Sequence, residues 1–252
     1  MRVGIPRSLF YFYYFPLWKT FFEGLGATVV TSSWTNRQTV ECGLLSAVDE
    51  ACFPIKVCFG HVKELCSQEL DFIFIPRLVS VENRSYICPK FMGLPDMVRA
   101  LIPGLPEIID ITIDLSRNSR ALEKDLLKVG RRFGKDRRVT RLAYNQGLAE
   151  WRQCIRLCRQ GYTMAEAVRI WDGEEVTLPA ANSLNIGVLG HGYSLYDRMI
   201  SMNLIDRLRQ LGCQVQVVEN LDQALVEAKA GEIPKRVFWT LGRKAVGGAL
   251  LL

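Results

Sequence analysis

The sequence predicts an α/β protein of two Rossmann-like lobes with parallel sheets, joined by a helical segment. Three observations predict it. Strand, helix and strand follow one another within the first 31 residues; a stretch beginning at residue 184 repeats that grammar; and residues 119–175 between them carry helical periodicity alone.

The first lobe, residues 1–118, opens on the apolar run RVGIP, which Pro6 ends. Trp18, Phe21, Phe22 and Leu25 recur at helical spacing and predict a helix over residues 13–25. Gly26 follows as its C-terminal cap, and residues 27–31 supply the second strand. A βαβ unit of this kind joins parallel strands through a right-handed crossover. After the polar turn SWTNRQT, a short helix is expected over residues 40–47. Pro54 suits the first turn of another helix, running to Cys66. Residues 70–75 are apolar on both faces and predict a central strand. A helix over 93–101 and a strand over 107–114 complete the lobe.

In the connector, residues 119–175, helices are expected over 119–133, 137–160 and 163–171. Cys154 and Cys158 lie along the apolar stripe of Leu148, Trp151 and Ile155, so core packing is favoured over metal ligation. Residues 173–183, with Pro179, read as a linker.

In the second lobe, residues 184–252, Gly187 matches Gly4, and Leu211-Gly212 matches Leu25-Gly26. Each half reads as strand, tyrosine-bearing loop, amphipathic helix, cap and strand. A helix over 221–230, a third strand over 237–240 and a helix from Gly242 follow. That last helix stops at AVGGALLL, so the second lobe is expected to be truncated. Ligands of such folds lie beyond the carboxyl ends of the strands, often between lobes.

The composition, 49% hydrophobic and 23% charged, is that of a soluble globular protein. No run of eighteen apolar residues predicts a membrane span, and no targeting peptide is read, so a cytoplasmic protein is expected. In a reducing compartment its eight cysteines serve metal, redox chemistry or packing. The absence of a CxxC pair and the presence of two histidines exclude a zinc ribbon and a His-rich site. Of the formal charge of +6, residues 117–141 carry +7. No nucleic-acid motif accompanies them, and a solvated helix face is the favoured reading, with docking to an acidic partner the alternative.

Residues 48–96 concentrate the candidate chemistry. Cys52 falls just outside a helix N-terminus, where the macrodipole favours a thiolate. Cys88 precedes Pro89 in the loop after the central strand. Metal ligand, reactive thiol and buried packing residue all suit such cysteines. Two thiolates do not complete an iron–sulfur cluster, which usually takes four; Cys58, Cys66 or a partner could add to them. Ile-Pro-Arg occurs twice at strand ends, which places Arg7 and Arg77 on one sheet edge. They would balance thiolate charge or grip a phosphate or carboxylate, unless they form structural pairs with Asp49, Glu50 or Glu82. Gly190-His191-Gly192-Tyr193 has the position of a phosphate-cradling loop without the full GxGxxG pattern. His191 and Tyr193 join the cofactor-binding candidates, with satisfaction of the turn as the alternative for His191. With neither Gly-rich loop complete, a nucleotide-binding lobe pair is disfavoured.

RVGIPRSLFYFYYFPLWKTFFEGLGATVV, VDEACFPIKV with the following GHV, DFIFIPRLVSVE, YICPKFMGLPDMVR and GHGYSLYD together resemble the acyl-CoA dehydratase activase-related family, also called CoA protein activase. The resemblance covers nearly the whole chain. That family is similar to 2-hydroxyacyl-CoA dehydratase subunits and double-cubane-cluster reductases, whose Rossmann-like lobes hold iron–sulfur clusters between them. The resemblance implies that Cys52 and Cys88 are ligands of a [4Fe–4S] cluster, with Arg7 and Arg77 tuning or shielding its charge. It also implies a further cysteine from a Gly-Cys-Gly-Pro-Asp-like segment, which this sequence does not contain. An ATP-dependent activator or dehydratase-type protein is the implied partner, and acyl-CoA a candidate ligand. Since the chain lacks the phosphate-binding loops of such an activator, it reads as the electron-receiving type. The competing expectation is a cluster-free scaffold lobe that binds a partner through residues 117–141.

Overall fold

The computed structural model describes residues 1–178 and 184–252. The chain begins with β1 (Arg2–Ile5), α1 (Tyr11–Gly24) and β2 (Thr28–Thr31), the predicted βαβ unit, with Gly26 at φ +85° closing the turn after the helix. α1 turns an aromatic face inward: Phe12, Trp18, Phe21 and Phe22 are buried, and Trp18 and Phe22 meet Phe74 at ring-centroid distances of 4.7 and 5.1 Å. Next come α2 (Arg37–Ser46), α3 (Phe53–Cys66), β3 (Phe72–Phe74), β4 (Arg77–Ser80) and α4 (Pro89–Leu101). β5 (Glu107–Ile109) and β6 (Thr112–Asp114) finish the lobe. The main sheet is parallel, in the order β2-β1-β3-β5, so β3 is central as predicted.

Two expected features differ. Residues 107–114 form two strands rather than one, because the pairing is interrupted at Pro76, which has no amide hydrogen to donate and separates β3 from β4. Beyond this interruption β4 and β6 pair as a separate two-stranded parallel sheet. α4 also begins at Pro89, earlier than the predicted residue 93, since proline at N1 is preorganised for a helix.

The connector consists of α5 (Arg120–Arg132), α6 (Arg137–Cys158) and α7 (Met164–Trp171). It packs on the first lobe: Trp151 Nε1 donates to the Tyr13 carbonyl at 2.9 Å. Gly147 makes this approach possible, since a Cβ there would stand 2.4 Å from the Leu17 carbonyl oxygen. The predicted linker ends outside the described residues.

The second lobe contains β7 (Asn185–Val188), α8 (Gly192–Leu195), α9 (Leu204–Gln210), β8 (Gln214–Val217), α10 (Gln223–Gly231) and α11 (Thr240–Ala249). β7 and β8 are parallel, so each half has its βαβ beginning. The single helix expected between them is broken into α8 and α9. Asp197 caps the intervening turn by accepting from the Met199 and Ile200 amides, and Met202 and Asn203 take positive φ. Residues 237–240 are not a third strand of this lobe. Their hydrogen bonds cross to the first lobe instead: Tyr86 N–H donates to the Phe238 carbonyl and Thr240 N–H to the Tyr86 carbonyl, both at 2.9 Å.

Candidate functional site

Cys52 and Cys88 occupy equivalent positions. Each is the N-cap of a long helix, α3 and α4, followed by a proline in the first turn, and each is exposed. Neither cap makes a side-chain hydrogen bond, so first-turn amides and the helix dipole are available to negative charge on the sulfur. Lys90, in the first turn of α4, donates to the Glu50 carbonyl at 2.6 Å and ties the two cysteine loops together. Burial first, and then the neighbouring Cys52 and Cys88, raise the pKa of the Tyr193 phenol above its ordinary value.

A cleft of about 250 Å³ opens beside Cys88, walled by Phe91 and Ile87 from the first lobe and by His191, Tyr193, Trp239 and Leu241 from the second. Tyr193 lies 5.5 Å from the Phe91 ring and 5.2 Å from the His191 ring. His191 is the N-cap of α8, and loss of hydration lowers its pKa below the usual histidine range. The arrangement can hold a group with thiolate affinity against an aromatic wall, between lobes and next to the amino ends of two helices.

The two arginines leave the same sheet edge, as the repeated Ile-Pro-Arg predicts, and then diverge. Arg7 turns toward β2, where it donates to Thr31 Oγ1 at 2.7 Å and stacks 4.2 Å over Trp34. Arg77 turns toward α4. It grips Asp96 with both terminal nitrogens, at 2.6 and 2.9 Å, donates to the Met92 carbonyl at 2.7 Å and approaches Asp110 at 3.4 Å. Its partners are not the expected Asp49, Glu50 or Glu82. The hydrogen bond from Arg77 is the chief cause that holds the Asp96 carboxyl below its ordinary range.

The remaining cysteines stand apart. Cys58 faces the core and burial pushes its thiol up to about 11. Cys66 closes α3, about 20 Å along the axis from Cys52 at 1.5 Å per residue. Cys154 and Cys158 are fully buried, in keeping with core packing. Among the described residues no group of three or more His, Cys, Asp or Glu could hold a metal ion.

Sequence reasoning missed a polar chain between the lobes. His61, fully buried on α3, makes 2.9 Å hydrogen bonds to Ser32 Oγ through Nδ1 and to Thr35 Oγ1 through Nε2. Thr35 in turn donates to Asp197. The GHV sequence and the closely spaced hydroxyls of Ser32 and Thr35 carry a signal of this chain, but Asp197 joins it through tertiary structure alone.

Fold and site thus define an α/β protein of two parallel-sheet lobes with a cysteine-flanked cleft at their seam. The chain belongs to the CoA enzyme activase uncharacterised domain family (DUF2229), whose family model matches residues 2–221. No curated protein matches it.

Proposed function

We propose that this chain is an electron-accepting iron–sulfur protein of the 2-hydroxyacyl-CoA dehydratase/activase group, with Cys52 and Cys88 giving two thiolates to a [4Fe–4S] cluster. The observation behind this reading is the paired N-cap placement of two exposed cysteines on successive helices, their loops tied together by Lys90. The donor chemistry fits such a group: cysteine thiolates are the usual cluster ligands, and a helix amino end favours the thiolate. Two donors are half of the usual set, so further ligands come from outside the described residues. When bound, the cluster would supply one-electron chemistry for reductive or radical dehydration. The chain's own residues would set its surroundings: α3 and α4 favour negative charge, and Tyr193, Phe91 and Trp239 limit water. An ATP-dependent activator or dehydratase-type protein as electron partner, acyl-CoA as ligand and a cytoplasmic setting complete the reading. No described helix is long and apolar enough to cross a membrane.

Iron and sulfide content with EPR, measured on anaerobically purified protein beside the Cys52→Ala/Cys88→Ala double variant, tests it. Iron and sulfide in the parent and their loss from the variant are expected. Equal iron in both, or none in either, would sink the reading.

The basic face favours a second reading, a partner-binding scaffold. Glu123 already takes Arg137 and Arg141, Asp125 takes Lys128, and Glu107 takes Arg132. Arg120, Lys124 and Arg131 on α5 are exposed and have no ion pair among the described residues. Association with an acidic protein that weakens with salt, and that disappears on charge reversal at these three positions, would support it.

A further inference from the structure

A second cavity, of about 50 Å³, lies at the carboxyl ends of β1 and β3. Phe10 closes it from α1's amino side, Leu78 from β4, Cys58 from α3, and Phe91 and Leu94 from α4. This is the topological switch point of the main sheet, where the strand order turns from β2 on one side of β1 to β3 on the other. Doubly wound sheets take their ligands in that crevice. Tyr14 and Pro76 are the partly exposed residues of the lining and mark its mouth.

The walls are mostly hydrocarbon and aromatic, with the phenols of Tyr11 and Tyr14 and the Trp18 indole among them, and their one aliphatic hydroxyl is that of Ser8. Ser8 is 6% exposed, and its Oγ is fully buried without a hydrogen-bond partner. The hydroxyl lies beside the Cys58 sulfur, near enough to favour its thiolate, but makes no hydrogen bond of normal geometry to it. Buried hydroxyls are nearly always paired, so an orphan facing a cavity points to a group that the cavity receives. A cavity of about 150 Å³ holds benzene, so one of this size holds a group of a few heavy atoms.

We propose that this cavity binds a short, uncharged aliphatic group bearing one hydrogen-bond acceptor, to which the Ser8 hydroxyl donates. The site uses neither Cys52 nor Cys88 and stands or falls independently of the cluster.

Acetone and isobutene test it, since they share a shape and differ in the acceptor oxygen. Each is titrated into the full-length chain, with binding followed by amide chemical shifts of Ser8, Leu9 and Leu78. Both are expected to give saturable shifts. Ser8→Ala weakens acetone about fivefold and leaves isobutene unchanged, as expected for loss of one neutral hydrogen bond. Leu94→Phe, which fills the space, removes both; if that variant does not fold, the Ser8→Ala comparison decides. Absence of saturable shifts with either probe, or equal acetone affinity in parent and Ser8→Ala, overturns the proposal.

Discussion

His61 and Asp197 stand on different lobes and share one hydroxyl, that of Thr35. Because Thr35 donates to Asp197, its oxygen can only accept from His61, which places the ring hydrogen on Nε2. Nδ1 then accepts from Ser32, whose oxygen takes the Arg7 amide hydrogen at 2.9 Å. Every donor along this chain points the same way, and the arrangement requires a neutral imidazole. Burial first, then the charge of Arg7, hold the pKa of His61 down at about 4.

A pH dependence of stability follows. Below pH 6.5 the unfolded chain binds a proton at His61 that the folded chain refuses, so stability falls as pH drops from 6.5 toward 4. The whole shift corresponds to about 3 kcal/mol, about 2 of it lost by pH 5. Asp197, whose pKa burial raises, acts in the opposite sense, because the folded state takes up its proton first as pH falls. His61→Gln keeps a donor and an acceptor but does not titrate. Urea midpoints at pH 7 and pH 5 should therefore separate more in the parent than in this variant. Equal separation would show that His61 is not the titrating group.

Gly60→Ala should destabilise the first lobe by about 1–3 kcal/mol, as overpacking does. A Cβ at Gly60 would stand 1.9 Å from the Thr39 carbonyl oxygen, and one at Gly43 would stand 2.0 Å from that of Lys56. Rigid backbone occupies both places, so α2 and α3 would have to separate. Because Cys52 opens α3, any iron bound by the parent should also fall in Gly60→Ala, although both cysteines remain. A urea curve superimposable on the parent's would contradict this account of the α2–α3 seam.

These two glycines show where the sequence was and was not legible. Local signals found α1, from its aromatic spacing, and placed Cys52 at a helix amino end, from Pro54, whereas Cys88 reads as a loop residue because a helix is expected only from residue 93 and α4 in fact starts at Pro89. The repeated Ile-Pro-Arg found a shared sheet edge, since β1 and β3 are adjacent and parallel. Tertiary choices were hidden. Residues 237–240 have the composition of a strand, but their hydrogen bonds satisfy Tyr86 rather than β7. The repeat between the halves also concealed the break after α8, which depends on the buried carboxylate of Asp197. Arg77 found Asp96 and Asp110, partners 19 and 33 residues away that no local pattern joins to it.

Arg77→Gln should lower stability by about 1 kcal/mol, the scale of a partly exposed ion pair with good bidentate geometry. The expected effect is small because Asp96 is largely exposed and keeps Arg99 as a neighbour at 3.3 Å. With its charge already matched by Asp96 and Asp110, Arg77 braces α4 against the start of β4. Thermal unfolding should show the loss, and a cluster held by Cys88 should keep its reduction potential. A large change in potential with no change in stability would instead assign Arg77 to the surroundings of the cluster.

Glu82 should control how firmly the second lobe closes on the Cys88 loop. It accepts from Arg243 at 2.7 Å and Lys244 at 2.6 Å, both on α11, while the neighbouring Tyr86 and Thr240 make the backbone bridge between lobes. Arg243 is nearly buried, and in Glu82→Gln it would keep Glu227, 3.0 Å away, so its charge would not be stranded. The expected loss is about 1 kcal/mol, confined to the seam. Amide exchange at Tyr86 and Thr240 should quicken several-fold in Glu82→Gln, while that of Val3 in the central sheet stays at the parent's rate. The cleft at Cys88 is walled from both lobes, so a looser seam should also bare more of Trp239, already 40% exposed, and raise its fluorescence quenching by iodide. Unchanged exchange and quenching would mean that the backbone bridge holds the seam without the ion pairs.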